Sequence, residues 1–141
     1  MPTNFFQLSD QGYPPYGSTI ITTRDFIQRR PEAVAAFVRA SMLGWREYLL
    51  RPALANIRIR EANPAMTQAQ IDYAVAYLRR TRVLDNGLAP GASIGSMTAE
   101  RWRQTRDFMV AGGLLSPHTD WTQAFTTRFT EKLDIRVEEQ A

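Results

Sequence analysis

The 141-residue sequence contains no cysteine and only one histidine, His118. The absence of cysteine excludes disulfide bonds, thiolate nucleophiles and cysteine metal ligands. One histidine, without a patterned set of carboxylates around it, completes neither a familiar metal site nor a Ser-His-Asp triad. We therefore predict no metal, no cofactor and no catalytic residue, and we expect His118 to lie at the surface beside Pro117.

The chain also lacks long apolar runs and a strong excess of charge. No apolar stretch approaches the ~18 residues that span a bilayer, and the first residues have neither the basic nor the apolar region of a signal peptide, so we expect none in the chain as written. The net charge is only +3. Arginine clusters such as Arg79, Arg80 and Arg82 are compatible with an acidic partner, but interspersed carboxylates favour solvated helix faces and no nucleic-acid partner.

Extended or irregular structure is predicted only near the start of the chain. Residues 1–17 hold three prolines and two glycines and read as irregular, with a short strand possible at residues 5–8. Residues 18–23, Ser-Thr-Ile-Ile-Thr-Thr, are the best strand because β-branched side chains fit a pleated surface. Tyr13 and Tyr16 flank prolines just before this strand, where they either line a cleft or pack the loop onto the domain.

The rest of the chain is predicted to be helical. Thr23, Thr67 and Thr98 are placed to cap helices, and Thr67 is followed by Gln70 at the capping-box position. Further helices are expected over residues 31–50 and 53–62 and around residues 121–125, with a loop at 86–95. The strongest helix, residues 31–50, has one predicted apolar stripe, formed by Val34, Phe37, Val38, Ser41, Trp45, Tyr48 and Leu49.

Three finer expectations concern tertiary packing. Trp45 and Trp102 lie on apolar stripes and are expected in the core. Gly44, inside the strongest helix, indicates a close helix contact, because glycine there costs about 1 kcal/mol relative to alanine. The charged segment 130–141 is expected to fray.

Several segments resemble the solute-binding proteins of the nitrate, sulfonate, taurine and thiamine-precursor importer family. The most specific are Gly12-Tyr-Pro-Pro-Tyr-Gly-Ser-Thr-Ile-Ile-Thr-Thr23, Pro31-Glu-Ala-Val34 and Phe37-Val-Arg-Ala40. Similar family segments follow in order at Gly44-Trp45, Asn63-Pro-Ala-Met-Thr67, Ile94-Gly-Ser-Met-Thr98, Arg101-Trp102 and Gly112-Gly-Leu-Leu115. The resemblance extends from about residue 10 to residue 129.

This resemblance implies an α/β fold of the type II periplasmic binding protein class, with a solute held between two lobes that close about a hinge. The chain would correspond to the C-terminal half and would itself be mostly α-helical, with one or two short strands. Residues 1–17 would leave the second lobe, residues 18–23 would form the hinge strand, and residues 24–129 would form the helical end of the first lobe, followed by a charged tail over residues 130–141.

The functional expectation is a partial or truncated solute-binding component of an ABC importer, periplasmic and not an enzyme. It would bind a small solute, which in this family is often anionic, only together with an N-terminal half, and in the full-length context it would meet an ABC permease. The ligand-binding candidates are Tyr13, Tyr16, Thr22 and Arg24, because they lie on or beside the hinge approach.

Two alternatives remain open. One is a stand-alone helical module that oligomerises or binds an acidic partner; uncovered apolar stripes favour self-association of the isolated chain. The other is an enzyme like the fungal relatives that make the thiamine pyrimidine. Those relatives use a cysteine-rich motif and histidine chemistry, so the absence of cysteine disfavours this alternative.

Overall fold

A computed structural model describes residues 12–13, 16–84 and 92–137, and the secondary structure of these residues is helical. The α-helices are Arg24–Arg29 (α1), Pro31–Leu50 (α2), Pro52–Ala62 (α3), Gln68–Thr81 (α4) and Ala99–Ala111 (α5), followed by a 3-10 turn, Trp121–Ala124. These bounds confirm the predicted helices, and no helix among the described residues is both long and apolar enough to cross a membrane.

The chain divides into two compact units. The first combines the residues up to Thr19 with Met97–Thr127, and the second combines Ile20–Ser96 with the residues from Arg128 onward. Helices α1 to α4 therefore belong to the second unit, and α5 belongs to the first. The sequence predicted a single helical segment over residues 24–129, and it gave no sign that α5 groups with the N-terminal residues.

The three predicted threonine caps are confirmed. Thr23, Thr67 and Thr98 each have extended backbone, and each side-chain oxygen accepts a hydrogen bond from the backbone N–H three residues on. At Thr67 the capping box is complete, because the Gln70 side chain also accepts a hydrogen bond from the Thr67 backbone N–H, at 2.8 Å. These bonds satisfy N–H groups that a helix leaves without an intrahelical partner, so they fix where α1, α4 and α5 begin.

The predicted strand at residues 18–23 is not formed. These residues are irregular up to α1, and Ile20 and Ile21 are 50% and 88% exposed. A strand needs a neighbouring strand to pair its backbone groups, and no strand lies among the described residues to serve as that partner. The other suggested strand, at residues 5–8, lies outside the described residues.

The core of the second unit uses only part of the predicted apolar stripe of α2, since Val34, Val38 and Leu49 are buried but Phe37 and Trp45 are exposed. Val34, Val38 and Met42 are buried, together with Ile94 and Ile135 from later in the chain. Leu49, farther along α2, is also buried, as are Ile71 and Val75 of α4. The predicted stripe mixed two adjacent faces of α2 and omitted Met42, which at 3% exposure is the most buried residue of the helix.

Two expectations about the other face of α2 were wrong. Phe37 is 61% exposed and Trp45 is 43% exposed, so Trp45 is not a core residue. A Cβ atom built on Gly44 would meet no atom of the described residues within 4 Å, so these residues do not form the close helix contact predicted there. This face of α2 is apolar but is only partly covered by the described residues.

The described part of the C-terminal segment, residues 130–137, is held in the second unit through Ile135 and is not frayed. Ile135 is 8% exposed, and its carbonyl oxygen accepts a hydrogen bond from the backbone N–H of Ile94 at 2.8 Å. The Ser93 hydroxyl accepts a hydrogen bond from the Ile135 N–H at 3.1 Å. Part of the predicted loop, residues 92–95, is therefore tied to the core; residues 85–91 and 138–141 lie outside the described residues.

Candidate functional site

The first unit carries a cluster of aromatic side chains arranged along α5. This helix begins at its Thr98 cap, where the Thr98 hydroxyl accepts a hydrogen bond from the Arg101 N–H at 3.2 Å. It ends before Gly113, whose φ of +70° is the left-handed conformation that glycine adopts at helix C-termini. Two aromatic side chains of α5, Trp102 and Phe108, meet rings from other parts of the first unit.

Tyr16 is held by three contacts with the start of α5. Its hydroxyl oxygen accepts a hydrogen bond from the Thr98 backbone N–H at 2.8 Å. The Arg101 guanidinium lies over the Tyr16 ring, 4.6 Å from the centroid, and the Trp102 ring lies 5.6 Å away. Tyr16 therefore satisfies a helix N-terminal donor and also makes a cation–π contact.

Trp102 and Trp121 both stack on the Phe125 ring. The Phe125 ring lies 5.1 Å from the Trp102 ring and is nearly parallel to it, with an interplanar angle of 8°. Trp121 stacks on the same Phe125 ring at 6.2 Å, again at 8°. The Trp102 Nε1 atom is buried, and no hydrogen-bond partner for it lies among the described residues. We define Tyr16, Arg101, Trp102, Trp121 and Phe125 as the aromatic cluster.

Tyr13 contacts α5 farther along the helix. Its ring lies 4.6 Å from the Phe108 ring at an angle of 46°, and Phe108 is 44% exposed. Both tyrosines that the sequence singled out therefore lie against α5, and these contacts favour the loop-packing alternative. A role of either ring toward a solute stays a prediction.

The other two predicted ligand residues belong to the second unit. Thr22 is exposed in the irregular segment before α1, and Arg24 is the exposed first residue of that helix. Tyr13 and Tyr16 thus both contact α5 in the first unit. Thr22 and Arg24 belong to the other unit. Sequence reasoning placed Trp102 on an apolar helix stripe, but no signal indicated that Tyr16 and Phe125 would meet it.

Three charged residues of α5, Glu100, Arg103 and Asp107, form ion pairs at its surface. Arg103 donates hydrogen bonds to both carboxylate oxygens of Glu100 (2.7 and 3.0 Å) and pairs with Asp107 at 2.9 Å. The Arg103 guanidinium, with a further hydrogen bond from the Gln104 amide, lowers the pKa of the Glu100 carboxyl. The described residues contain no group of three acidic or histidine side chains placed to hold a metal ion, and His118 is exposed as predicted.

The second unit has an apolar groove between α2, α3 and α4, with a volume of about 450 Å³. It is lined by Ser41, Gly44, Trp45, Tyr48, Ile59 and Leu78. The Tyr48 hydroxyl donates a hydrogen bond to the Asn56 Oδ1 atom at 3.0 Å, and the Trp45 and Tyr48 rings meet edge to face, 6.0 Å apart. This groove contains the exposed face of α2 that the sequence predicted to be core.

Comparison with known proteins gives two matches, one to a family and one to a single relative. The sequence model of the family described as NMT1/THI5 like matches residues 1–55. A curated relative, the riboflavin-binding protein RibY of Chloroflexus aurantiacus, is 31% identical over 111 residues. The two matches confirm the resemblance to the periplasmic solute-binding proteins of ABC transporters.

The alignment covers most of this chain but only a minor part of the Chloroflexus protein. The aligned residues make up 78% of this chain but only 32% of the relative, so the chain spans about a third of that protein's length. No solved structure matches the chain.

Proposed function

We propose that this chain is the C-terminal part of the solute-binding component of an ABC importer. The observation that carries the proposal is the family match over residues 1–55. It covers the approach to α1, α1 itself and the whole of α2. The whole protein would be periplasmic and would deliver a small solute to a membrane permease.

The solute would bind only when the chain is joined to the N-terminal part of such a protein. Solute sites of this class lie in a cleft that buries most of the ligand between two walls. The aromatic cluster, with Tyr13 next to it on α5, suits one wall for an unsaturated planar solute, because rings and a guanidinium present π faces and positive charge. The name of the Chloroflexus relative makes riboflavin the first solute to test.

The test is a chimera in which this whole chain replaces the aligned 111 residues of the Chloroflexus protein. Riboflavin is titrated into the chimera, the native relative and this chain alone, and flavin fluorescence is followed, since stacking on aromatic rings quenches it. We expect quenching by the chimera and by the relative, and none by the chain alone. A chimera that is folded by circular dichroism but does not quench flavin fluorescence would show that this chain does not supply an equivalent wall for riboflavin.

For the chain by itself, we propose self-association through the exposed apolar side chains of α2, α3 and α4, of which Trp45 also lines the groove. Phe37, Trp45, Leu54, Ile57 and Tyr73 are between 43% and 80% exposed on α2, α3 and α4, and monomers rarely leave such a surface uncovered. Light scattering is expected to show a dimer or larger species that a Trp45→Ser variant shifts toward the monomer. A stable, monodisperse monomer of the unmodified chain would overturn this proposal.

A further inference from the structure

Three segments of the chain run between the two units, and each leaves the first unit beside the aromatic cluster. The boundaries between the units fall after Thr19, after Ser96 and after Thr127. Tyr16 lies three residues before the first boundary, Thr98 two residues after the second, and Phe125 two residues before the third.

The side chains beside these boundaries are in direct contact within the first unit. The Tyr16 hydroxyl accepts the hydrogen bond from the Thr98 N–H at 2.8 Å and so joins the first segment to the second. Trp102 contacts Tyr16 at 5.6 Å on one side and Phe125 at 5.1 Å on another, and so joins the third segment to both. One tryptophan thus links positions that are more than 80 residues apart in the sequence.

We infer that Tyr16, Trp102 and Phe125 form an anchor that gathers the three connecting segments at one place in the first unit. Displacement of one segment is transmitted to the other two through rigid rings, because Tyr, Trp and Phe side chains have only two side-chain torsions each. Tyr16 and Trp102 are positioning residues in this device. The inference rests on the contacts and on the division into units, and it does not depend on which solute, if any, the protein binds.

The anchor is tested by backbone ¹⁵N relaxation on the whole chain, with the variants Trp102→Leu and Tyr16→Phe, and by amide hydrogen exchange at Thr98, whose N–H is bonded to Tyr16. Trp102→Leu is expected to lower the backbone order parameters in all three segments, residues 17–23, 94–98 and 125–130. Tyr16→Phe keeps the ring but removes the hydroxyl acceptor, so exchange is expected to rise about two- to tenfold at Thr98 while the order parameters fall in residues 17–23. Phe108→Leu, on the same helix but touching none of the anchor rings in the described contacts, serves as the control and is expected to leave the three segments unchanged.

Two results would overturn the inference. The first is a fall in order parameters confined to α5 in Trp102→Leu, with the three segments at wild-type values. The second applies if Trp102→Leu loses its helical circular dichroism. Tyr16→Phe then decides, and faster exchange at Thr98 with unchanged order parameters in residues 17–23 contradicts a shared anchor.

Discussion

The two units are stabilised by different kinds of contact. The second unit has an aliphatic core, and every buried residue that the structure describes belongs to it: Val34, Val38, Met42, Leu49, Ile71, Val75, Ile94 and Ile135. The first unit has no buried residue among those described, and its α5 is held by ring contacts and by the hydrogen bond to Tyr16. Burial decides the stability of the second unit, whereas the geometry of a few aromatic side chains decides the arrangement of the first.

The largest effect is expected from Ile71→Ala, in the second unit. Ile71 is 1% exposed, and truncating a buried isoleucine costs about 3 kcal/mol through lost transfer free energy and the cavity left behind. Urea denaturation followed by circular dichroism measures this loss. Ile21→Ala, the same substitution at a residue 88% exposed before α1, is the matched control and should change the free energy of unfolding by less than about 0.5 kcal/mol.

A smaller effect is expected from Phe125→Leu, in the first unit. The substitution keeps an apolar side chain but removes the ring that stacks between Trp102 and Trp121. We expect a loss of about 1.5 kcal/mol. The near-ultraviolet circular dichroism of the stacked tryptophans should weaken while the helical signal is retained. Unchanged near-ultraviolet dichroism would mean that the stack does not order this unit.

The next largest loss of stability is expected from breaking the capping box of α4. Thr67→Ala removes the acceptor for the Gln70 N–H, and loss of such a cap costs about 1 kcal/mol. The midpoint of thermal unfolding should fall for Thr67→Ala and stay close to wild type for Thr67→Ser, which keeps the hydroxyl. Equal unfolding midpoints for Thr67→Ala and Thr67→Ser would show that the Thr67 hydroxyl does not stabilise α4.

The smallest effect is expected at Glu100, on the exposed surface of α5. Because the Arg103 hydrogen bonds lower its pKa in the folded chain, ionised Glu100 stabilises the fold fully above the ordinary carboxyl pKa. This contribution is lost as the pH falls through the lowered pKa. Glu100→Gln should therefore slightly lower the midpoint of thermal unfolding near neutral pH and have no effect at strongly acidic pH. A difference in unfolding midpoint between the wild type and Glu100→Gln that grows as the pH falls would contradict a lowered pKa for Glu100.

Local structure was predicted well because its causes are local. Proline at the start of α2, threonine caps at Thr23, Thr67 and Thr98, and Gly113 after α5 act over a few residues, and the structure shows each of them. These signals fixed the helix bounds to within one or two residues.

Tertiary contacts were predicted poorly because they depend on residues far apart. Helix α2 is apolar on two adjacent faces, and the face that becomes core is selected by Ile94 and Ile135, from much later in the chain. The strand at residues 18–23 failed for a similar reason, since β-branched residues form a strand only against a partner. The contact of Tyr16 with Thr98 and Trp102 likewise joins positions that no local pattern connects.

Riboflavin titration of the chimera is the most direct test of the central claim that α5 and its aromatic side chains form part of a solute site. Tyr13→Ala in the chimera removes a ring that lies on α5, and Tyr73→Ala removes an exposed tyrosine of the second unit as the matched control. The account predicts that Tyr13→Ala weakens riboflavin binding about three- to tenfold while Tyr73→Ala leaves the Kd unchanged. Equal Kd values for the unmodified chimera and the Tyr13→Ala variant would contradict it.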